Sequence, residues 1–313
     1  MMIKSEFYYV VNSEGIKVAV HKNSHFSVGT SPYYAHQFGL AIDIYQHLPL
    51  VNYDVFSPVS GIVLKTKELI APKPKFTGGI SKDYLIIIQN LQRKDLVYKL
   101  LHVKPTVKEG QNIEIGQVIG TTIRNGYFAY WSSPHVHLEI RSKDDAVRAR
   151  GGKTFLLARS DFKSSIKKQL EPEIPIPIKI HSVFPEFILA KLTKEYYFKI
   201  DPIFGIKGKF GDSNCIIDGG LPQYKNGIII LPDDFKSSAN VIFWGSYKIG
   251  SLMELRKQFG LFYSLKLKFK IDGRELRGLS LFLANFTPLV KLIPINKGEF
   301  SFRKNTIHYL SLT

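Results

Sequence analysis

Hydrophobic and polar residues alternate in short runs along most of this chain. Phe7–Val11, Ile16–Val20, Gly61–Lys65, Tyr84–Gln89, Leu96–Leu101 and His135–Ile140 are rich in β-branched and aromatic residues and bounded by turn residues. Such runs predict strands. Beyond Ala190, the segments Tyr196–Ile200, Gly227–Leu231, Val241–Trp244 and Leu261–Ile271 read the same way. Helical signals are few: Asp161–Gln169 with Asp161 as N-cap, and Ser251–Phe259 behind Ser251. The chain is expected to be mainly β.

One stretch breaks the pattern. Glu171-Pro172-Glu173-Ile174-Pro175-Ile176-Pro177-Ile178 places proline at every second or third position. Proline fixes φ and lacks an N–H, so the segment should be extended and outside any central strand. A proline-bearing edge strand is the alternative. We expect an antiparallel β-sandwich or barrel-like domain over residues 1–160, a proline-rich linker over 161–178, and a β-rich accessory domain over 179–313. Within the last, Tyr263–Lys270 alternates Lys with Leu and Phe. That predicts a strand with its apolar face in the core and its Lys face in water; a nucleic-acid or polysaccharide platform is the alternative.

Composition narrows the classes. Of 313 residues, 44% are hydrophobic and 22% charged, which excludes a disordered chain, a collagen-like repeat and a coiled coil. Lys and Arg outnumber Asp and Glu by 43 to 26, a net charge of +17. The excess is spread, 23 to 13 over residues 1–170 and 20 to 13 beyond, so there is no basic tail. It favours an anionic partner such as nucleic acid, an anionic membrane surface or an acidic cell-envelope polymer. A single cysteine, Cys215, excludes an intramolecular disulfide and a Cys-rich zinc site. Its apolar neighbours Ile216 and Ile217 suggest a buried small hydrophobe. No apolar run is long enough for a transmembrane helix. The N-terminus lacks a signal peptide's apolar region, so the sequence as it stands predicts a cytoplasmic protein, or an extracellular one if a leader has been removed. Oligomeric state is left open.

The candidate chemistry lies in the first half. Seven of nine histidines precede residue 140. His135-Val136-His137 lies in an alternating run, and residues i and i+2 of a strand share a face, so both imidazoles can line one site. Asp43 is an acid within the apolar run Leu40–Tyr45. A buried charge is costly unless paired or bound to a metal. His36 lies seven residues upstream, and a turn near Gly39 could fold its ring back toward Asp43. His102 ends the run Tyr98–Leu101. Catalytic zinc takes three N or O protein ligands and keeps one position open. His36, Asp43 and His137 would supply two imidazoles and a carboxylate, with His102 and His135 as neighbouring non-ligand imidazoles. Glu139, on the face of His137, would orient a histidine or form a plain salt bridge. Tyr127, Tyr130 and Trp131 would wall a substrate groove or simply pack on the sheet.

Residues from about 30 to 141 resemble the lysostaphin-type, or LytM-like, zinc metallopeptidases. Four blocks stand in the family's order. Gly39–Ile44 is similar to its HxGxD segment, and Ser57–Val63 to the strand and turn that follow. His102 precedes Val107–Gly120, similar to V-x-x-G-x-x-V-x-x-G-Q-x-I-G. Pro134–Glu139 is similar to P-H-x-H-x-E. The resemblance implies an antiparallel duplicated-hybrid-motif fold with a groove for an extended peptide. It also implies one Zn²⁺ per chain on His36, Asp43 and His137, with His102 and His135 as catalytic histidines. The implied reaction is hydrolysis of a peptide bond, with a peptide or cell-wall-type substrate. In one place the chain departs from the pattern: the family's first His stands four residues before the Asp, where this chain has Gly39, and His36 stands seven before. His25 and His47 are poorer substitutes. The glycine-rich block also occurs in phosphocarrier and biotinyl or lipoyl carrier domains, so it speaks to fold more than to activity. The altered spacing keeps a second function open, an inactive relative serving as a binding or regulatory module. A basic nucleic-acid-binding protein is the third.

Overall fold

A computed structural model gives a chain built almost entirely of strands, with residues 6–158, 175–233, 235 and 239–313 described. Contacts divide it into two compact units, Met1–Phe26 with Leu40–Ala158, and Ser27–Gly39 with Arg159–Thr313. The expectation of a mainly β, two-part architecture holds.

In the first unit, β1 (Phe7–Ser13) and β2 (Ile16–His21) form a hairpin. Its two-residue turn, Glu14-Gly15, has positive φ at both positions (52° and 78°), the geometry that follows strand twist. Next come β3 (His25–Ser27), β4 (Ala41–Tyr45), β5 (Asp54–Phe56), β6 (Gly61–Ile70), β7 (Lys82–Gln89) and β8 (Leu96–Leu101). The last four are β9 (Val103–Pro105), β10 (Asn112–Ile113), β11 (Val118–Thr122) and β12 (Val136–Ser142). One sheet runs β10-β6-β7-β8-β12-β4-β3 and a smaller one β5-β11-β9. β7, β8, β12 and β4 are buried on both faces, hence their near-continuous Val, Ile and Leu. In the glycine-rich block, Gly110 (φ 83°) and Gly116 (φ 81°) make the turns that flank β10.

The second unit contains β13 (Ile176–Val183), β14 (Ile188–Leu192), β15 (Tyr197–Ile200), β16 (Ile203–Phe210) and β17 (Ser213–Leu221). β18 (Asn226–Ile230), β19 (Val241–Trp244), β20 (Tyr247–Arg256) and β21 (Phe259–Ser264) follow. β22 (Phe269–Ile271), β23 (Arg274–Leu281), β24 (Val290–Pro294) and β25 (Ile307–Leu312) complete it. Two closed rings result. One runs β16-β19-β20-β21-β18-β17 and closes through β17–β16; the other runs β22-β25-β13-β14-β24-β23 and closes through β23–β24. β17 and β23 pair and join the rings. Closure removes the exposed edges that open sheets must protect. Phe210, Ile217, Ile229, Trp244, Phe262, Phe269 and Leu292 belong to one continuous core, with Cys215 fully buried among them.

Three expectations need correction. Ser251–Phe259 is not helical: its residues belong to β20 and β21 with a turn between. A bulge between Leu252 and Glu254 slips the register by one residue, so the apolar spacing imitates a helical period. Leu261–Ile271 is two strands, because the chain leaves one ring after Ser264 and enters the other at Phe269. Phe269 is buried and Lys266 and Lys268 are exposed, as alternation requires, but Leu265 is 39% exposed because it lies on the crossing. The proline-rich segment is not wholly outside the sheet: Ile176–Ile178 open β13, where Pro177 sits opposite Tyr309 before pairing to β14 begins. The rest of that linker up to residue 174, and the expected helix Asp161–Gln169, lie outside the described residues. No helix among the described residues is long and apolar enough to cross a membrane, which says nothing of a β-barrel.

Candidate metal centre

Strand register assembles this site. In β12, His137 stands opposite Asp43 of β4 on one side and Leu101 of β8 on the other. His102, the residue after β8, is thereby delivered to the same place. His135 precedes β12 by one residue and points with His137 toward Asp43. The Asp43 carboxylate is 1% exposed, and Oδ1 lies 2.9 Å from His137 Nδ1 while Oδ2 lies 3.4 Å from His135 Nε2.

His137 sits between two carboxylates. Its Nε2 is 3.1 Å from Glu139 Oε1. Glu139 is itself buried between two cations, with Lys99 Nζ at 2.9 Å and Arg141 Nη1 at 2.8 Å. Burial raises the carboxyl's pKa, but His137 and Lys99 together outweigh it and bring Glu139 down to about 2. Burial likewise works against a charged His137, yet Asp43 and Glu139 together lift it to about 9. If Nε2–H donates to Glu139, a neutral His137 aims a lone pair at a carboxylate oxygen 2.9 Å away. That arrangement calls for a proton or a metal cation between the two. Its donor chemistry fits a divalent metal, and a histidine ligand whose other nitrogen donates to a carboxylate is the usual metal-site pattern.

His135 donates Nδ1–H to the Ser133 carbonyl at 2.9 Å, since a carbonyl can only accept. Its Nε2 therefore carries the lone pair. Burial is the main cause that lowers its pKa, to about 4, so the ring is neutral at pH 7. His102 is clamped by Asp83, whose carboxylate takes the ring Nδ1 at 2.9 Å and the His102 backbone N–H at 3.0 Å. Burial opposes the charge on Asp83, but the His102 charge and hydrogen bonds overcome it and hold the carboxyl below its ordinary range. His102 has a left-handed backbone, φ 68°, which a non-glycine residue adopts at some cost. The double hydrogen bond to Asp83 compensates. Ring centroids of His102 and His135 are 5.4 Å apart, and Phe128 lies within 4.9 Å of both.

His36 occupies a single helical turn, α1 (Tyr34–Gln37), and is 2% exposed. Gly39 follows with φ 60°, the turn anticipated there. His36, Asp43 and His137 each offer one ligand atom within 4.8 Å of the others, so the three could hold a metal ion. His47 instead packs edge-on against Tyr53 at 5.0 Å. Tyr130 and Trp131 pack on each other at 4.7 Å. Phe128, not singled out in the sequence, is the aromatic that lies against the histidines. Asp83, Lys99 and Arg141 were also not singled out. The signal for Asp83 was an acid beside Lys82 at the head of an apolar strand.

Comparison with known proteins adds the following. Residues 16–157 match the family model described as "Domain of unknown function (DUF8155) N-terminal domain". No curated protein matches the chain. Among solved structures, the NMR solution structure of lysostaphin is similar at 13% identity and a TM-score of 0.25, over 78% of this chain and 95% of that one. A structure of the antimicrobial peptidase lysostaphin from Staphylococcus simulans is similar at 12% identity and a TM-score of 0.27, over 78% and 95%.

Proposed function

We propose that this protein is a zinc-dependent metallo-endopeptidase that hydrolyses an amide bond in a peptide of the cell-wall type. One observation carries the reading: two imidazoles and a buried carboxylate lie close enough together that they could hold a metal ion, beside two further histidines each held in a defined orientation. The ordered sequence blocks around Asp43, His102 and His135–Glu139 support it. Zinc, when bound, supplies Lewis acidity toward a carbonyl oxygen and toward water. His36, Asp43 and His137 are the residues that would hold it. Glu139 fixes the His137 ring through Nε2. His135, neutral and with its lone pair at Nε2, accepts a proton from water. His102, clamped by Asp83, is the second group that handles a proton or stabilises developing negative charge.

Metal content per chain and hydrolysis of glycine-containing peptides, measured together, test this. His137→Ala should lose both zinc and turnover. His102→Ala should keep zinc and lose turnover by at least about 100-fold, the usual scale for a general acid or base. Full activity in His102→Ala would sink the assigned mechanism. Wild-type protein that binds zinc but cleaves nothing would favour the inactive binding module, which the seven-residue spacing from His36 to Asp43 keeps as the second reading.

A further inference from the structure

The segment that carries His36 is tied down by one buried acid. Asp218, on β17, is fully buried. Its Oδ1 accepts the Ser27 hydroxyl at 2.7 Å, and its Oδ2 accepts the backbone N–H of Val28 at 2.6 Å and of Gly29 at 2.9 Å. Ser27 Oγ in turn accepts the N–H of Thr30 at 3.0 Å. A buried carboxylate is costly unless its oxygens are satisfied, and here three consecutive residues supply the donors. Position 29 must be glycine for this approach, because a Cβ there would come within 2.9 Å of the Asp218 carbonyl oxygen.

The peptide unit joining Val28 to Gly29 does two things. Its N–H donates to Asp218, and its carbonyl lies 2.7 Å from His36 Nδ1. The unit is planar, so fixing the N–H aims the carbonyl. A carbonyl only accepts, so Nδ1 of His36 carries the proton and Nε2 is the nitrogen with a lone pair. We propose that Asp218 is a positioning residue for His36: through the Val28–Gly29 peptide it fixes the ring and presents Nε2 to the metal. This rests on the metal-site reading above. It gives residues beyond 178 a part in metal binding, which their sequence did not suggest.

The test is zinc affinity of the full chain, by competition with a chromophoric chelator, for wild type, Asp218→Ala, Asp218→Asn, His36→Ala and the Asp218→Ala/His36→Ala double variant. Loss of a residue that orients a ligand weakens metal binding about 10- to 100-fold, and Asp218→Ala should do so. Asp218→Asn should stay within a few-fold of wild type, since its Oδ1 can accept the two N–H groups while Nδ2 donates to Ser27 Oγ. The double variant should bind no more weakly than His36→Ala alone. Ile229→Ala, in the same core, should lower stability and leave zinc affinity unchanged. Wild-type affinity in Asp218→Ala, or losses that multiply in the double variant, would overturn the proposal. Wild-type affinity in His36→Ala would instead remove His36 from the ligand set, and the metal reading would fail first. Should Asp218→Ala not fold, ¹⁵N spectra of the histidine rings in zinc-free wild type decide: His36 must be the Nδ1–H tautomer, and an Nε2–H tautomer overturns the proposal.

Discussion

At the residue scale, the proposed metal site would couple metal binding to protons through His137. A metal ligand must be a neutral imidazole, whereas in the metal-free protein two carboxylates raise this ring to about 9. Binding therefore displaces a proton at pH 7. Apparent zinc affinity should rise about tenfold per pH unit from pH 7 to 9 and level off above. Chelator competition at four pH values measures this, and a flat profile from 7 to 9 would contradict the geometry between Asp43 and Glu139. The same shift has a sign for metal-free stability. A histidine raised from 6.5 contributes stability that is fully present below pH 6.5 and lost as pH rises through about 9. His135, lowered to about 4, acts oppositely: its contribution is present above 6.5 and lost as pH falls through about 4. Much of this was legible in the sequence, because His135, His137 and Glu139 meet through period-2 alternation, a local property. Asp83 was not. It meets His102 because β7 and β8 pair with Leu85 opposite Leu101, and no local pattern states a register. Phe128 lies in the segment between β11 and β12, where no strand period applies.

At the scale of elements, the pairing of β8, β12 and β4 is the device that builds the site. It sets His137 against Asp43 and Glu139 against Lys99 in one register. A one-residue slip would turn every one of these side chains to the other face, and the Glu139 cluster penalises such a slip. Lys99, Glu139 and Arg141 are 4%, 2% and 0% exposed. Removing one partner of a buried ion cluster costs about 3–5 kcal/mol, because the remaining charge stays buried without compensation. Glu139→Gln should therefore destabilise the metal-free protein by about that much in urea unfolding and also weaken zinc binding, since His137 loses its orienting carboxylate. A loss below about 1 kcal/mol would mean that Lys99 and Arg141 are satisfied without it. The longer strands in the first unit were readable because their runs of β-branched and aromatic residues are short and bounded by turn residues. In the second unit the reading failed where a bulge in β20 shifted the period, and where an alternating run continued while the chain changed rings. Hydrophobic pattern records which side of a strand is buried. It does not record which sheet the strand belongs to, so Leu261–Ile271 read as one element.

At the scale of the whole molecule, the property most open to test is the net charge of +17. It is a sum over many exposed side chains spread through both halves, not a feature of the metal centre. Two consequences follow, and they separate the readings. A spread positive field attracts any polyanion by counterion release, so affinity for a single strand should fall steeply with salt, by about 300-fold or more between 50 and 200 mM if six or more charges engage. That attraction should also ignore the metal: stripping zinc with a chelator should abolish peptide hydrolysis and leave polyanion retention unchanged. Fluorescence anisotropy with a labelled single-stranded oligonucleotide and with a labelled polyphosphate, over a salt series, with and without zinc, checks both. Equal salt slopes for the two ligands would mark the charge as an unspecific field that attracts any anionic polymer. Binding of the oligonucleotide that survives 200 mM salt while polyphosphate is lost would show base stacking on a dedicated surface. The nucleic-acid reading would then displace the peptidase reading as the account of the chain's charge.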